Sequence, residues 1–363
     1  MSILSAIAVL ALAGCDDRSS QPSAFALETR PAAEDTRERA LRRSIDTGLA
    51  YLAARAAESV DGSFPVDDAR DRDQAPLGVT ALSTLAFLAA GHSPGRGPHG
   101  ATVARAVDYL LDHADLAPES STYGYISTSG DVLSRTHGHG YATLALAQAH
   151  GMAPERSERI QRTLVAAVRC IEQSQGTEGG WYYEPRFTAE HEGSVTICLV
   201  QALRAAQNAG VQVDSKVIER AEDYVVRLQN PDGLFRYRLA PGEKASLALT
   251  AAGVTTLNMA GRYGGPVLRN AIDAISTGLV RQEEQGERPD FPYYQRFYLA
   301  QALWQLDDPS LFERWFEAEE RRILSSQDSN GSWDDRRFGR CYATATNCLV
   351  LAMSEGVLPI FQR

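Results

Sequence analysis

Two adjacent aspartates, Asp334 and Asp335, have the best position in the sequence for acid chemistry. They precede an apolar segment that begins near Cys341. A carboxyl group at the start of a buried helix can face a cavity and act as a proton donor. Capping of that helix, or pairing with Arg336 and Arg337, would explain the two aspartates equally well. If the protein is an enzyme, we predict Asp334 and Asp335 as its catalytic residues.

Other reactive or charged side chains also stand at or just before the starts of apolar segments. Together they supply the carboxylate, imidazole, cationic, thiol and phenol groups that a binding cavity needs, although a rim of solvated loops would show similar residues. The predicted ligand-binding residues are His137, His139, His191, Glu192, Lys244, Tyr294, Arg296, Arg340, Cys341 and Tyr342.

Two further kinds of site can be considered from the same residues. Imidazole and thiol groups bind zinc, but a His-x-His pair such as His137 and His139 is common in loops, so we predict no metal ion and no cofactor. Glycan cleavage needs two carboxylates about 5 to 10 Å apart. Glu184, Glu192 and Asp290 are candidates together with Asp335, but sequence does not measure their separation.

A repeated turn must position these groups. Gln327, Gly331 and Trp333 form a Gln-x3-Gly-x-aromatic pattern between two helical segments. The same spacing recurs at Gln175, Gly179 and Trp181 and at Gln229, Gly233 and Phe235, and looser copies begin at Glu58, Ser120 and Gln282. A period of about 50 residues is typical of a repeat architecture.

Between the turns, apolar residues return every three or four positions, which predicts an almost wholly α-helical chain. Each repeat contributes one helix with a charged face and one rich in Ala, Leu, Thr and Gly. The amphipathic helices are predicted at 38-57, 99-114, 155-174, 214-229, 266-282 and 311-326. The apolar helices are predicted at 76-91, 138-150, 193-209, 245-262, 293-306 and 341-354.

Six such pairs predict an all-α (α/α)6 toroid with an outer and an inner ring. An open superhelix would have the same local pattern, but six repeats with this period favour closure. In a toroid the N-termini of the six inner helices gather on one rim, where their unpaired N–H groups favour an anion. We therefore expect any ligand cavity at that rim.

The Gln-x3-Gly-x-Trp turns, followed by Tyr342-Ala343-Thr344-Ala345, resemble the prenyltransferase and squalene-oxidase repeat family. The resemblance covers about residues 38 to 358 and implies the α/α toroid of terpenoid cyclases and protein prenyltransferase β subunits. It implies a structural role for the Gln and Trp, with the turn tying one outer helix to the next. It does not identify a reaction, because a fold does not fix a function.

The family's catalytic motifs are not present in their usual form. Asp290 stands where the prenyltransferases have a zinc-binding Asp, but Pro292 and Ala343 stand at the Cys and His positions. The Asp-x-Asp-Asp motif of the class II cyclases and the Cys-Gly-Glu-Gln thioester motif are also missing from the sequence.

The first fifteen residues, MSILSAIAVLALAGC, are apolar or small and too short to span a bilayer. Leu12 to Cys15 resembles a bacterial lipobox, which implies that residues 1-15 are a lipoprotein-type signal and that Cys15 is lipidated. The usual basic residue before the apolar stretch is missing. Residues 16-37 lack apolar periodicity and are predicted to be a flexible tether, followed by the toroid at 38-363. The protein is thus expected on a membrane of the cell envelope.

Composition limits the possible functions. The net charge of -10 disfavours nucleic acid. Cys170, Cys198, Cys341 and Cys348 are expected to be buried free thiols, although a bridge between Cys170 and Cys198 is possible.

The main hypothesis is a lipid-anchored toroid that binds a hydrophobic, anionic or peptide ligand in its central cavity. The alternatives are a terpene cyclase or prenyltransferase-like enzyme with non-standard acids, and an envelope enzyme acting on glycans. An aromatic content of 8% with four Trp weighs against both enzymes.

Overall fold

Regular secondary structure in the described part of the chain is almost entirely α-helical. The computed structural model describes residues 32–70, 73–355 and 358. The α-helices, in chain order, are α1 (Ala32–Glu58), α2 (Pro76–Ala89), α3 (Gly100–Asp112), α4 (Arg135–His150), α5 (Ser157–Ser174), α6 (Gly193–Asn208), α7 (Ser215–Arg227), α8 (Leu247–Met259), α9 (Pro266–Gln285), α10 (Pro292–Trp304), α11 (Ser310–Ser325) and α12 (Gly339–Ala352).

The remaining regular structure is short. Phe235–Arg236 (β1) and Ala245–Ser246 (β2) form a two-stranded antiparallel ladder with Phe235 opposite Ser246. Single 3-10 turns span Pro154–Arg156 and Met353–Glu355. The chain divides into two compact units, residues 1–38 and 39–363. Of the first unit, the structure describes only the beginning of α1; the architecture below is that of the second.

Odd-numbered and even-numbered helices differ in burial as the sequence pattern predicts. In α7 the buried residues are Val217, Ile218, Ala221, Tyr224 and Val225, which form one stripe of a helix. In α2 every residue from 77 to 89 is buried. The odd-numbered helices therefore form an outer layer, and the even-numbered ones lie inside it.

The inner helices close into a ring. Each even-numbered helix packs against the next one in the chain, and α12 packs against α2. This contact between the last and the first inner helix distinguishes a closed toroid from an open superhelix. The predicted (α/α)6 toroid of six helix pairs is confirmed.

In three of the repeats, a glutamine ties the turn to the next outer helix. The amide of Gln175 donates to the carbonyl of Gly179 in its own turn and to the carbonyl of Val217 in α7, both at 2.8 Å. In the last repeat, the amide of Gln327 donates to the carbonyls of Gly331 and of Ser44 in α1. The sixth turn thus closes the outer layer onto the first outer helix.

The glycine of the turn is required for two reasons. Gly179 and Gly331 have φ of +90° and +88°, which disfavours residues with a Cβ. A Cβ at Gly179 would also lie 2.3 Å from the carbonyl oxygen of Arg220, and one at Gly331 would lie 2.4 Å from that of Thr47. The outer helices pack this closely only because the turn has no side chain.

The aromatic residue of the turn joins it to the inner helix. The indole N–H of Trp333 donates to the carbonyl of Ile323 at 2.8 Å, and its backbone N–H donates to Thr344 in α12 at 3.2 Å. Equivalent backbone bonds reach Thr80, Thr196 and Thr250 in other repeats. The Gln and Trp therefore have the structural role that the repeat pattern predicts.

Some boundaries differ from the sequence-based expectations. Helix α1 begins at Ala32 rather than at residue 38, because residues 32 to 37 contain no Gly or Pro to prevent helix formation. Cys170, Cys198, Cys341 and Cys348 are all buried free thiols, as expected. The predicted signal, its Cys15 and most of the predicted tether lie outside the described residues.

We expect Gly179→Ala to lower the free energy of unfolding by at least about 2 kcal/mol, because it combines a left-handed backbone with a clash against the carbonyl of Arg220. Gly286→Ala is the matched control, since Gly286 also has positive φ, +66°, but no atom lies within 4 Å of its Cβ position. It should cost only about 1 kcal/mol. Urea denaturation of both variants measures the difference, and equal losses would contradict the close-packing argument.

Candidate functional site

A cavity of about 790 Å³ opens at the N-terminal ends of the inner helices. Every inner helix contributes a residue from its first turns. These residues are Gly78 from α2, His137 from α4, Ser194 from α6, Ala248 from α8, Tyr294 from α10 and Tyr342 from α12. The expected convergence of six helix starts around one cavity is therefore present.

The cavity wall is mainly aromatic and aliphatic. Its rings are Tyr141, Tyr183, Tyr237, Phe291, Tyr294, Phe338 and Tyr342. Its aliphatic residues include Val79, Leu82, Leu133, Leu234, Leu247 and Leu249. No tryptophan is among the described lining residues. A wall of this composition favours an apolar molecule and orients it through a few polar groups.

A tyrosine–glutamine network joins opposite sides of the ring beneath Tyr141. The hydroxyl of Tyr298 donates to the side-chain carbonyl of Gln201 at 3.1 Å, and the amide of Gln201 donates to Gln301 at 2.6 Å. Because Tyr298 has only one hydroxyl proton, Tyr141 must donate to Tyr298 across 3.3 Å. The network crosses from α4 and α6 to α10.

Tyr294 stands one helical turn before Tyr298 and lines the cavity. Its hydroxyl is buried and has no hydrogen-bond partner among the described residues. An unpaired buried hydroxyl costs free energy, which a ligand or a water could recover. Burial raises the pKa of Tyr294 well above its usual value, so this hydroxyl remains a donor.

Charged side chains of both signs stand around the mouth. Lys244 forms an ion pair with Asp290, and the guanidinium of Arg337 lies 4.2 Å from the ring centre of Phe291. The other charged lining residues of this mouth are Glu243, Arg281, Glu287 and Arg288. The mouth therefore presents polar contacts at the entrance to an apolar interior.

One side of the cavity carries a line of hydrogen bonds. His137 Nε2 lies 3.0 Å from the hydroxyl oxygen of Ser194, which lies 2.5 Å from Glu192 Oε1. Glu192 is fully buried and caps α6 by accepting the N–H groups of Ser194 and Val195 at 2.8 and 2.7 Å. Burial lowers the pKa of His137 to about 4 and raises that of Glu192.

The structure separates the predicted ligand-binding residues into two groups. His137, Lys244, Tyr294 and Tyr342 line the cavity. The remaining ones, which are not among its lining residues, are His139, His191, Glu192, Arg296, Arg340 and Cys341.

The second group makes contacts elsewhere in the fold. His139 is buried, and its Nδ1 accepts the backbone N–H of Ile126 at 3.1 Å, the contact that a threonine makes in other repeats. His191 bonds to the hydroxyl of Tyr224. Burial raises the pKa of Cys341 to about 12, so its thiol stays protonated.

The two arginines of this group are held by neighbouring polar residues. Arg296 bonds to Glu319 and Asn347 between helices α10, α11 and α12. Arg340 forms ion pairs with Asp328 and Asp334. Both guanidinium groups thus help to join elements of the fold.

The predicted acids Asp334 and Asp335 also lie outside the cavity lining. The backbone carbonyl of Asp334 accepts the hydroxyl of Tyr293, while its carboxylate pairs with Arg340. Asp335 accepts the N–H groups of Arg337 and Phe338 just before α12. Burial raises the pKa of Asp335, but its contacts are those of a turn-capping residue.

Sequence reasoning missed most of the aromatic wall and Ser194. Tyr141 follows His137 by four residues, and this spacing could have identified it because residues i and i+4 share a helix face. Tyr183, Tyr237 and Phe338 lie in loops, where no periodicity indicates their direction.

The described residues show neither a metal-binding cluster nor a membrane-spanning helix. They contain no group of three or more His, Cys, Asp or Glu side chains placed to hold a metal ion. Within the same part of the chain, no helix has the length and apolarity that crossing a membrane requires.

Comparison with known proteins relates this chain to others by fold alone. No protein-family pattern matches the sequence, and no curated protein is detectably similar to it. A D-mannose isomerase superposes with a TM-score of 0.62 at 13% identity, covering 90% of this chain and 100% of that one.

Two further structures share the fold. An inactive variant of an α-1,6-mannanase from Salegentibacter sp. HEL1_6, bound to α-1,6-mannotriose, has a TM-score of 0.59 at 10% identity, covering 86% and 98% of the two chains. A variant of the type II terpene cyclase MstE from Scytonema, bound to its product merosterolic acid A, has a TM-score of 0.56 at 18% identity, covering 89% and 99%. The chain thus has the architecture of α/α-toroid enzymes with different chemistries.

We predict that acid destabilises the protein through His137. A histidine whose folded pKa is about 4 binds fewer protons than in the unfolded chain, where its pKa is about 6.5. This contribution to stability is complete above pH 6.5 and is lost as the pH falls toward 4. In the His137→Gln variant, the loss of unfolding free energy between these two pH values should be smaller by about 1–3 kcal/mol. Urea denaturation of both proteins at pH 7 and at pH 4.5 measures the loss of unfolding free energy. An equal loss in wild type and variant would contradict the prediction.

Tyr298→Phe should destabilise the protein by about 1–3 kcal/mol, because it leaves the carbonyl of Gln201 and the hydroxyl of Tyr141 without their partner. Tyr263→Phe is the control, because Tyr263 is 71% exposed, and it should change stability by less than about 0.5 kcal/mol. Thermal and urea unfolding of the two variants test the contribution of the tyrosine–glutamine network.

Proposed function

We propose that this protein binds an elongated, mainly apolar molecule in the central cavity, with the polar end of the ligand at the mouth. The observation that carries the proposal is the wall of seven Tyr and Phe rings with aliphatic neighbours around a volume of about 790 Å³. Burial of apolar surface against such a wall contributes about 25 cal/mol per Å². Of the ligand classes expected from the sequence, the hydrophobic one fits this interior best.

The mouth supports a polar or anionic end group. Arg281 and Arg288 line it and form no ion pair with any described residue. The N-termini of the inner helices also direct their partial positive charge toward the cavity. A carboxylate or hydroxyl at the end of an apolar chain would satisfy both features.

A second candidate is an enzyme that converts an isoprenoid, as the terpene cyclase does on the same fold. The aromatic wall favours it, because aromatic faces stabilise cations. Such an enzyme would also need an acid that protonates the substrate, and Asp73 is a candidate in the described cavity lining. Asp73 lines the cavity, but its Oδ1 already accepts the N–H of Val132 and the hydroxyl of Ser134, so these contacts engage it within the fold.

A glycan-active enzyme has less support. Asp290 is paired with Lys244, and Glu192 is buried behind Ser194, so two free carboxylates do not face each other among these residues. Of the sequence candidates, Glu184 pairs with Arg186 and Asp335 caps a turn. The wall also lacks a described tryptophan on which a sugar could stack.

The proposed location remains a membrane of the cell envelope, reached through lipidation of Cys15. This part of the proposal follows from the lipobox-like sequence at Leu12 to Cys15, which lies outside the described residues. An anchored binding protein with an apolar cavity would take its ligand from the adjacent lipid surface. Release of a Cys15→Ser variant from membranes would support this location, and unchanged retention would contradict it.

Filling the cavity should abolish binding. We expect wild type to bind the apolar fluorescent probe 1-anilinonaphthalene-8-sulfonate and Ala248→Trp to bind it at least about tenfold more weakly, because the indole would occupy the space beside α8. Ala101→Trp is the matched control, because Ala101 is exposed on the outer helix α3. Fluorescence titration measures the affinities. Equal binding by the two variants would show that the probe occupies another surface.

A further inference from the structure

We infer that His137, Ser194 and Glu192 form a recognition site for a hydroxyl group of the ligand, with His137 Nδ1 as the hydrogen-bond acceptor. The inference rests on the proposed binding of an apolar ligand in the central cavity. It adds that the ligand carries a hydroxyl group on the part that lies inside the cavity, in addition to its polar end at the mouth. Four hydrogen bonds carry it: three that Glu192 accepts from Ser194 and Val195, and one between Ser194 and His137.

The contacts of Glu192 determine which group donates in its hydrogen bond with the hydroxyl of Ser194. Both oxygens of Glu192 accept backbone N–H groups, at 2.8 Å from Ser194 and 2.7 Å from Val195. Burial raises the pKa of Glu192, but these two donors, one on each oxygen, oppose that shift by stabilising the carboxylate form. The hydroxyl of Ser194 therefore donates its proton to Glu192 Oε1, 2.5 Å away.

The second step fixes the tautomer of His137. A serine hydroxyl has one proton, so the oxygen of Ser194 can only accept in its contact with His137 Nε2 at 3.0 Å. His137 Nε2 must then carry the ring proton. In a neutral imidazole, the other nitrogen, Nδ1, is left with a lone pair and acts as an acceptor.

The third step places that acceptor. His137 and Ser194 both line the cavity, whereas Glu192 lies behind them. His137 Nδ1 forms no hydrogen bond with a described residue, and the ring lies 5.9 Å from that of Tyr183, another lining residue. Within the line of Glu192, Ser194 and His137, the atom left free to accept a hydrogen bond from a ligand is thus His137 Nδ1.

The unpaired hydroxyl of Tyr294 complements this acceptor. It lines the same cavity and has no described partner. An alcohol oxygen can donate its proton to an imidazole and accept one from a phenol. A hydrocarbon could do neither, and an ether could only accept. The imidazole acceptor and the phenol donor, which both lack a described partner, are therefore the two groups that a ligand hydroxyl would satisfy.

Glu192 and Ser194 act as positioning residues, because Glu192 does not line the cavity and the hydroxyl of Ser194 is engaged with Glu192 and His137. The other role of Glu192, as the cap of α6, uses the backbone N–H groups and does not need the serine hydroxyl. Ser194→Ala therefore removes the hydrogen bond that fixes the tautomer of His137, and it keeps the backbone bonds by which Glu192 caps α6. This variant separates positioning from fold stability.

The binding test compares 1-decanol with decyl methyl ether as competitors of bound 1-anilinonaphthalene-8-sulfonate. The preference for the alcohol, measured as the ratio of the two inhibition constants, should be about two- to tenfold greater in wild type than in His137→Phe. Taking the ratio in both proteins cancels the different hydrophobicity of the two ligands. His150→Phe, a substitution outside the cavity lining, should keep the wild-type ratio.

A second measurement needs no ligand. Nitrogen NMR of histidine-labelled protein at pH 7 should show His137 as the Nε2–H tautomer, and Ser194→Ala should turn it into a mixture. Detection of the Nδ1–H tautomer in wild type would overturn the inference.

The outcomes separate this inference from the proposed function. If both competitors displace the probe with the same ratio in wild type and His137→Phe, apolar binding stands and hydroxyl recognition is overturned. If neither displaces it, and Ala248→Trp binds the probe as wild type does, the proposed function fails and hydroxyl recognition fails with it.

Discussion

The structure depends on the close contact, made in five of the six repeats, between the glycine turn and the backbone of the following outer helix. A turn with positive φ and no side chain brings the two backbones together, and the glutamine amide then spans them with two hydrogen bonds. Because the turn of the sixth repeat makes this contact with α1, the outer layer ends where it began. The inner ring is joined to this closed outer layer, because the aromatic residue of the turn bonds through its backbone N–H to a threonine of the inner helix in four repeats.

The fifth repeat departs from this pattern, and the cavity extends there. Gln282 exchanges hydrogen bonds with Gln295 instead of reaching the next outer helix, and Gly286 has no neighbour at its Cβ position. Among the outer helices, α9 supplies the cavity lining, with Gly278, Arg281 and Gln282. The looser turn leaves room between neighbouring elements that the other turns fill. The repeat thus provides a rigid ring and, at one place, a wider opening.

A shared toroid does not identify the chemistry of this chain. Structures with this architecture include an isomerase, a mannanase and a terpene cyclase, each at less than 20% identity to this chain. The function must therefore be argued from the side chains of the site. Here the lining combines phenols, aliphatic groups and one imidazole with charged residues at the mouth. This composition is the basis of our proposal that the cavity binds a mainly apolar molecule.

The sequence by itself determined the helices and the repeat. Apolar residues with a period near 3.6 bury one face of an isolated helix wherever it packs, and a Gly-x-Trp turn has few alternative conformations. The gathering of polar residues at one rim also followed from the order of the helices. For this reason His137, Lys244, Tyr294 and Tyr342 could be selected before their surroundings were known.

Only the tertiary structure decided which of the candidates face the cavity. His137 and His139 are two residues apart and so point to different sides of α4; one lines the cavity and the other replaces a buried threonine. Asp334 and Asp335 lie in a loop, and no periodicity fixes the direction of a loop side chain. The hydrogen bond between His137 and Ser194 joins residues 57 positions apart. Such contacts depend on how two helices pack, which the local pattern of either helix does not specify.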